Sequence, residues 1–172
     1  MSPTSATRPL VVVMGVSGVG KTTVALLLAE RLGVPFAEAD DFHPPASIAK
    51  MSAGQPLDDA DRQPWLRTLG DWLGSRAAAG TGGVLTCSAL KRRYRDVLRA
   101  SAPEVHFLHL DGDRTLIGER IGQRTGHFMP PALLESQYGA LEPLSADERG
   151  SVHHVGPPPE KLVEAALEVL GL

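Results

Sequence analysis

Residues 15–22 read GVSGVGKT, a complete G-x-x-x-x-G-K-[ST] pattern directly after the apolar run Leu10-Val11-Val12-Val13-Met14. This spacing suits polyphosphate chemistry. Gly15, Gly18 and Gly20 leave the backbone room to wrap phosphate oxygens with N–H groups, and Val16, Ser17, Val19 and Thr23 complete the cradle. Lys21 can reach the β- and γ-phosphates, and the Thr22 hydroxyl can ligate Mg²⁺. A glycine turn that only caps a helix would not require Lys-Thr here, so the segment is read as a nucleoside triphosphate site.

Further candidates follow along the chain. Asp40 and Asp41 can accept the proton of an attacking hydroxyl or help place Mg²⁺, and either can instead cap a turn; Asp40 is the first choice. His43-Pro44-Pro45 is a rigid substrate wall or a turn. Lys91 and Arg95 share a predicted helix face next to Ser88; like charges at this spacing cost a few tenths of a kcal/mol, which a nearby anionic ligand would offset. Arg92, Arg93 and Arg99 read as a solvated face. Arg120 and Arg124 form a second such pair and lead into Thr125-Gly126-His127-Phe128-Met129-Pro130-Pro131. That stretch reads as a mobile lid over about 120–131, whose guanidinium groups close over a transferring phosphoryl group; the alternative is a helix end where cations suit the dipole. Cys87, His153 and His154 lack partners at metal-ligand spacing and read as structural.

The elements that must position these groups alternate. The run at 10–14 reads as a buried parallel strand and residues 24–30 as part of a helix closed by Gly33. A short strand leads into Asp40, and 44–64 form an irregular excursion with one short helix near Ser47–Ser52. A helix follows from about Pro64 to Ala79, with Trp65, Leu66, Leu69, Trp72 and Leu73 at helical spacing. Strands at 83–87 and 105–110, helices at about 90–100 and 114–123, a strand near 152–155 and a helix over 159–170 complete the pattern. Strands separated by helices predict an α/β fold: a parallel five-stranded sheet flanked by helices in the three-layer P-loop NTPase arrangement. Ligands in such folds sit beyond the carboxyl ends of the strands.

Bulk properties narrow the class. At 172 residues the chain is expected to form a single domain over 10–172 behind a flexible tail at 1–9. A net charge of −3 gives no reason to expect nucleic acid, and no stretch approaches the roughly 18 apolar residues of a membrane span. The single cysteine excludes an internal disulfide framework and suits a reducing cytoplasm.

Several blocks coincide with one family. Beyond the phosphate loop these are Asp40-Asp41-Phe42-His43-Pro44, Lys50-Met51-x-x-Gly54-x-Pro56-Leu57-x-Asp59-x-Asp61-Arg62-x-Pro64-Trp65-Leu66, and Cys87-Ser88-Ala89-Leu90-Lys91-x-x-Tyr94-Arg95. Arg124-x-Gly126-His127-Phe128-Met129 and Leu134-x-Ser136-Gln137-Tyr138-x-x-Leu141-Glu142 complete the set. Over roughly residues 10–170 the chain resembles the gluconate kinases of the shikimate-kinase-like P-loop group. The resemblance implies ATP- and Mg²⁺-dependent phosphorylation of D-gluconate, usually by a homodimer, with a lid from about Arg120 to Pro131. A carboxylate-bearing substrate needs cations, for which Lys50, Arg62, Lys91, Arg95 and His127 are candidates. Two departures stand out. Ser47 replaces the family's usual asparagine, and the strand at 83–87 ends without an aspartate, leaving Mg²⁺ to Thr22, phosphates and water with Asp40 behind them. A GTPase switch is disfavoured because the chain has no asparagine for an Asn-Lys-x-Asp motif; a kinase of shikimate or a nucleoside monophosphate is the nearer rival.

Overall fold

Leu10–Met14 is the central strand, β1, and Val11 to Met14 are fully buried, because a parallel strand between two helical layers has no solvated face. The computed structural model describes residues 8–122 and 131–172. Its other strands are β2 (Phe36–Glu38), β3 (Gly83–Thr86), β4 (His106–Asp111) and β5 (Gly150–His154), all parallel in the order β2-β3-β1-β4-β5. Its helices are α1 (Lys21–Leu32), α2 (Pro45–Ser52), α3 (Asp59–Ala79), α4 (Arg92–Ser101), α5 (Arg114–Gly122), α6 (Pro131–Ala140) and α7 (Pro159–Val169). Among the described residues no helix is long and apolar enough to cross a membrane.

The core has two halves, one on each face of the sheet. Val24, Ala25 and Leu28 of α1, with Leu162, Val163 and Ala166 of α7, pack on Val11, Val13, Leu108 and Leu110. On the other face Trp65, Leu66, Leu69 and Leu73 of α3, with Leu98 of α4, pack on Val12, Met14, Leu85 and Phe107. Each fully buried leucine stabilises the fold by roughly 1.5–3 kcal/mol. The five-stranded parallel sheet with helices on both faces is the predicted architecture.

The differences have local causes. Helix α3 starts at Asp59, not Pro64, because Asp58 and Asp61 form a capping box: Asp61 N–H donates to Asp58 at 2.8 Å and Asp58 N–H to Asp61 at 3.0 Å. Pro64 then sits one turn inside and removes one helical hydrogen bond. The aspartates Asp40 and Asp41 lie in a 3-10 turn over Ala39–Phe42, just past β2. Helix α6 was not predicted. Arg8 and Pro9, expected in the loose tail, are anchored: Arg8 donates to Gly33 O at 2.5 Å, and Pro9 O accepts from Gly83 N–H at 3.0 Å.

Arg95 requires a correction. Lys91 is the N-cap of α4, so the two cations do not share a helix face. Arg95 is completely buried; its Nε and Nη2 donate to Glu148 at 2.7 and 2.9 Å, and its Nη1 donates to Ala89 O at 2.8 Å. A guanidinium committed in this way fastens a loop and is not presented to a substrate. Arg99 also leaves the solvated face expected of it, donating to Glu148 at 3.1 Å, whereas Arg92 stays on that face in an exposed pair with Asp147.

This packing sets an acid limit on stability. Burial lowers His106 to about 4, helped by the charges of Arg149 and His153, while its Nε2 shares the Ser151 hydroxyl with His153. Burial pushes the Glu148 carboxyl up, but the hydrogen bonds from Arg95 and from Ser145 N–H outweigh it and leave Glu148 at about 2. In both cases the unfolded chain binds protons that the folded chain refuses, so stability rises with pH across each window. Urea midpoints should be level between about pH 6.5 and 8, below the range where the buried Cys87 thiol matters, and fall as the pH drops from 6.5 towards 4 through His106. They should fall again from 4.5 towards 2 through Glu148. Midpoints that stay level down to pH 4 would contradict the buried neutral imidazole.

Candidate active site

The phosphate loop follows from its glycines. Gly15, Gly18 and Gly20 have φ of 147°, 88° and 93°, in the region that side chains disfavour. A Cβ on Gly15 would stand 2.6 Å from Leu110 O, so the loop passes too close to β4 for any side chain there. Gly20 is the N-cap of α1, with no side-chain cap and no acidic residue in the first turn. The N-terminal amides of α1 are therefore left for an anion. Lys21 Nζ donates to Gly15 O at 2.9 Å and Val16 O at 3.1 Å, folding back over the loop.

A carboxylate that the sequence reading overlooked stands beside Thr22. Glu38, the last residue of β2, accepts from Thr22 Oγ1 at 2.7 Å and from Thr86 Oγ1 at 2.6 Å. The parallel register pairs Glu38 with Thr86, so β2 delivers the acid that the end of β3 lacks. The signal was its place two residues before Asp40 at a strand end. Hydroxyl and carboxylate oxygens are the donors that Mg²⁺ prefers, so Thr22 and Glu38 fit that ion. Among the described residues no cluster of His, Cys, Asp or Glu forms a metal site by itself.

Asp40 lies just past Glu38, and its side chain is 89% exposed. Beside it His43 is almost fully buried, with Nε2 3.7 Å from Asp40 Oδ1. His43 stacks on Trp65 with centroids 4.3 Å apart, and Trp65 Nε1 donates to Ala39 O at 2.7 Å, which holds the 3-10 turn against α3. Burial, with the charge of Arg62, lowers the His43 pKa despite Asp40, so the ring is neutral at neutral pH. Its Nδ1 is buried and unpartnered among the described residues.

The β3–α4 loop borders the same end of the sheet. Ser88 O accepts from Gly15 N–H at 3.3 Å, joining this loop to the phosphate loop. Cys87 is buried and its thiol is pushed up to about 12, chiefly by burial, so it is no nucleophile; Lys21 and Asp40 both act on it electrostatically. Ala89 has φ 45°, a left-handed conformation costing about 1–2 kcal/mol, and the Arg95 bond to its carbonyl holds it there.

The predicted cations differ in how far they are committed. Lys50 is paired with Asp61 at 2.6 Å. Arg62 is loosely held, 3.5 Å from Asp59 and 3.3 Å from the Tyr94 hydroxyl. The Lys91 ammonium makes no hydrogen bond or ion pair among the described residues and lies 6.0 Å from the centre of the Tyr94 ring. Arg93, paired with Asp59, lies over the same ring at 5.6 Å. The Tyr94 hydroxyl donates to Asp59 at 2.6 Å, and this bond, with the surrounding cations, holds the Asp59 carboxyl below its usual range.

Outside the loop a pocket of about 370 Å³ is lined by Gly20, Thr23, Arg120, Val155, Pro157 and Leu162, among others. Arg120 Nη2 donates to Val155 O at 2.7 Å. Arg124 and His127 lie outside the described residues.

Comparison with known proteins agrees with this arrangement. Residues 10–144 match a family model described as an AAA domain. The chain is 56% identical to a gluconokinase of Gluconobacter oxydans over 137 residues, 80% of this chain and 77% of that protein. It is similar to the crystal structure of a gluconokinase from Sinorhizobium meliloti, with TM-score 0.86 and 46% identity over 95% of this chain and 92% of that one. A sugar kinase from Janibacter superposes with TM-score 0.88 at 55% identity, covering 95% of each chain. A shikimate kinase from Bacteroides thetaiotaomicron, at 16% identity and TM-score 0.68, shares the fold. The chain belongs to the gluconokinase family.

Proposed function

We propose that the chain transfers the γ-phosphoryl group of ATP to D-gluconate, giving 6-phospho-D-gluconate. The observation that carries this reading is the convergence, at the carboxyl ends of β1, β2 and β3, of a complete phosphate loop, the exposed carboxylate of Asp40 and under-committed cations around Tyr94. The amides of residues 16 and 18–22 hold the phosphates, those of Gly15 and Ser17 being bonded to Ser88 O and Gln137, and Lys21 moves from its loop carbonyls to the transferring group. Thr22 and Glu38 hold Mg²⁺, which when bound offsets the charge of the phosphates. The pocket beside Gly20 and Thr23, with Arg120 on its wall, has the size for a purine.

Asp40 accepts the proton of the acceptor hydroxyl, and the stacked, neutral His43 forms a wall beside it. Ser88 offers a further hydroxyl. Lys91 and Arg62 take the gluconate carboxylate, because Lys50 is already neutralised and Arg95 is buried. Arg124 and His127 keep the lid roles that the resemblance implies. A homodimer in the cytoplasm belongs to the same proposal.

A coupled ADP-release assay over a panel of acceptors tests this. Gluconate should be turned over faster than glucose, shikimate or AMP. Lys91→Met should raise the KM for gluconate by about tenfold or more, as for loss of a charged hydrogen bond, and leave the KM for ATP nearly unchanged. Faster turnover of any of the other three acceptors would overturn the assignment.

A further inference from the structure

Gln137, on α6, grips the phosphate loop with both ends of its side-chain amide. Oε1 accepts from Ser17 N–H at 2.7 Å, and Nε2 donates to the Ser17 hydroxyl at 3.1 Å. Among the described residues no other side chain accepts from a backbone N–H of residues 15–20. The helix is held from behind: Tyr138 donates to Gly112 O at 2.6 Å, and Glu135 pairs with Arg114. A few residues on, Glu142 N–H donates to Leu90 O at 2.7 Å, and the Glu142 carboxylate accepts from Arg92 N–H at 3.0 Å. One short stretch, 137–142, therefore touches both the phosphate loop and the loop bearing Ser88 and Lys91.

The geometry points to Gln137 as a positioning residue for phosphoryl transfer. It fixes Ser17, and with it the front of the phosphate loop, at a set distance from the acceptor loop. An amide suits the place. It offers an acceptor and a donor to the same residue and brings no charge near the phosphates. A carboxylate would still accept from Ser17 N–H, but would repel a polyanion bound in the loop. The inference rests on the kinase reading above, and transition-state geometry is where such a residue would act.

The test compares Gln137→Met with Gln137→Glu, using ATP and gluconate, alongside thermal melting of each variant. Gln137→Met should lower kcat by about tenfold or more while changing the KM for ATP by less than about threefold. Its melting temperature should stay within about 3 °C, because the side chain is only half-buried. Gln137→Glu keeps the bond to Ser17 N–H and should melt no lower than Gln137→Met, yet its kcat should fall at least as far. Fastening alone predicts the reverse order, with the glutamate variant retaining activity. A kcat within about twofold of wild type in either variant, or faster turnover by Gln137→Glu than by Gln137→Met, would overturn the proposal. If the wild-type protein prefers another acceptor, the gluconate reading fails, and the same variants compared on that acceptor still decide the role of Gln137.

Discussion

Lys21→Ala should remove almost all kinase activity while leaving a folded protein. The side chain is the first of α1 and folds back on the loop, where it bonds Gly15 O at 2.9 Å and Val16 O at 3.1 Å. Losing two part-buried hydrogen bonds costs roughly 1–3 kcal/mol, a drop of several degrees in Tm for a chain of this length. The kinetic loss should be far larger. The ammonium neutralises charge that grows on the transferring group, and an interaction stronger in the transition state than in the ground state appears in kcat. A variant that melts within several degrees of wild type and retains activity within about tenfold, equivalent to about 1.4 kcal/mol of barrier, would remove Lys21 from the mechanism.

The phosphate loop and the sheet were legible because each rests on local pattern. A β-branched run followed by GVSGVGKT admits few structures, and strict alternation of strand and helix admits few topologies. What stayed hidden depended on contacts between distant segments. Arg95 looks like a substrate cation until Glu148, far along the chain, is seen neutralising it in a buried pair. Breaking such a pair from one side costs about 3–5 kcal/mol, so Arg95 answers to the fold before it can answer to a ligand. The start of α3 differs from expectation for another reason: Pro64 suits a first helical turn, yet the Asp58–Asp61 capping box satisfies two orphan amides and sets the boundary earlier.

The site shows the same division. Asp40 and His43 are named by their motif, but Glu38 reads as an ordinary strand residue until the register of β2 against β3 brings it between Thr22 and Thr86. Among the cations the sequence offered equals. Only the structure separates Lys50, held by Asp61, from Lys91, which has no such partner among the described residues. Gln137 stands in a motif block without a legible task, because nothing local says that a glutamine 120 residues away meets Ser17. Sequence names the groups that can do chemistry, and long-range packing decides which of them are left to do it.

Asp40→Asn should lower kcat by about a hundredfold or more with little change in ATP affinity. The substitution keeps the size and shape of a side chain that is almost fully exposed, so neither the 3-10 turn nor the His43–Trp65 stack beneath it is disturbed. What it removes is the negative charge and most of the basicity. If Asp40 accepts the proton of the acceptor hydroxyl, no excess of Mg²⁺ restores the rate. If it serves only to hold the ion's water, raising Mg²⁺ should recover much of the loss, because Thr22 and Glu38 remain to bind the ion. Asp41→Asn is the matched control, an exposed neighbour in the same turn, and it should retain most of its kcat. The decisive measurement is kcat for both variants against Mg²⁺ concentration at saturating ATP and gluconate. A larger loss at Asp41, or full rescue of Asp40→Asn by Mg²⁺, would mean that the base has been assigned to the wrong carboxylate.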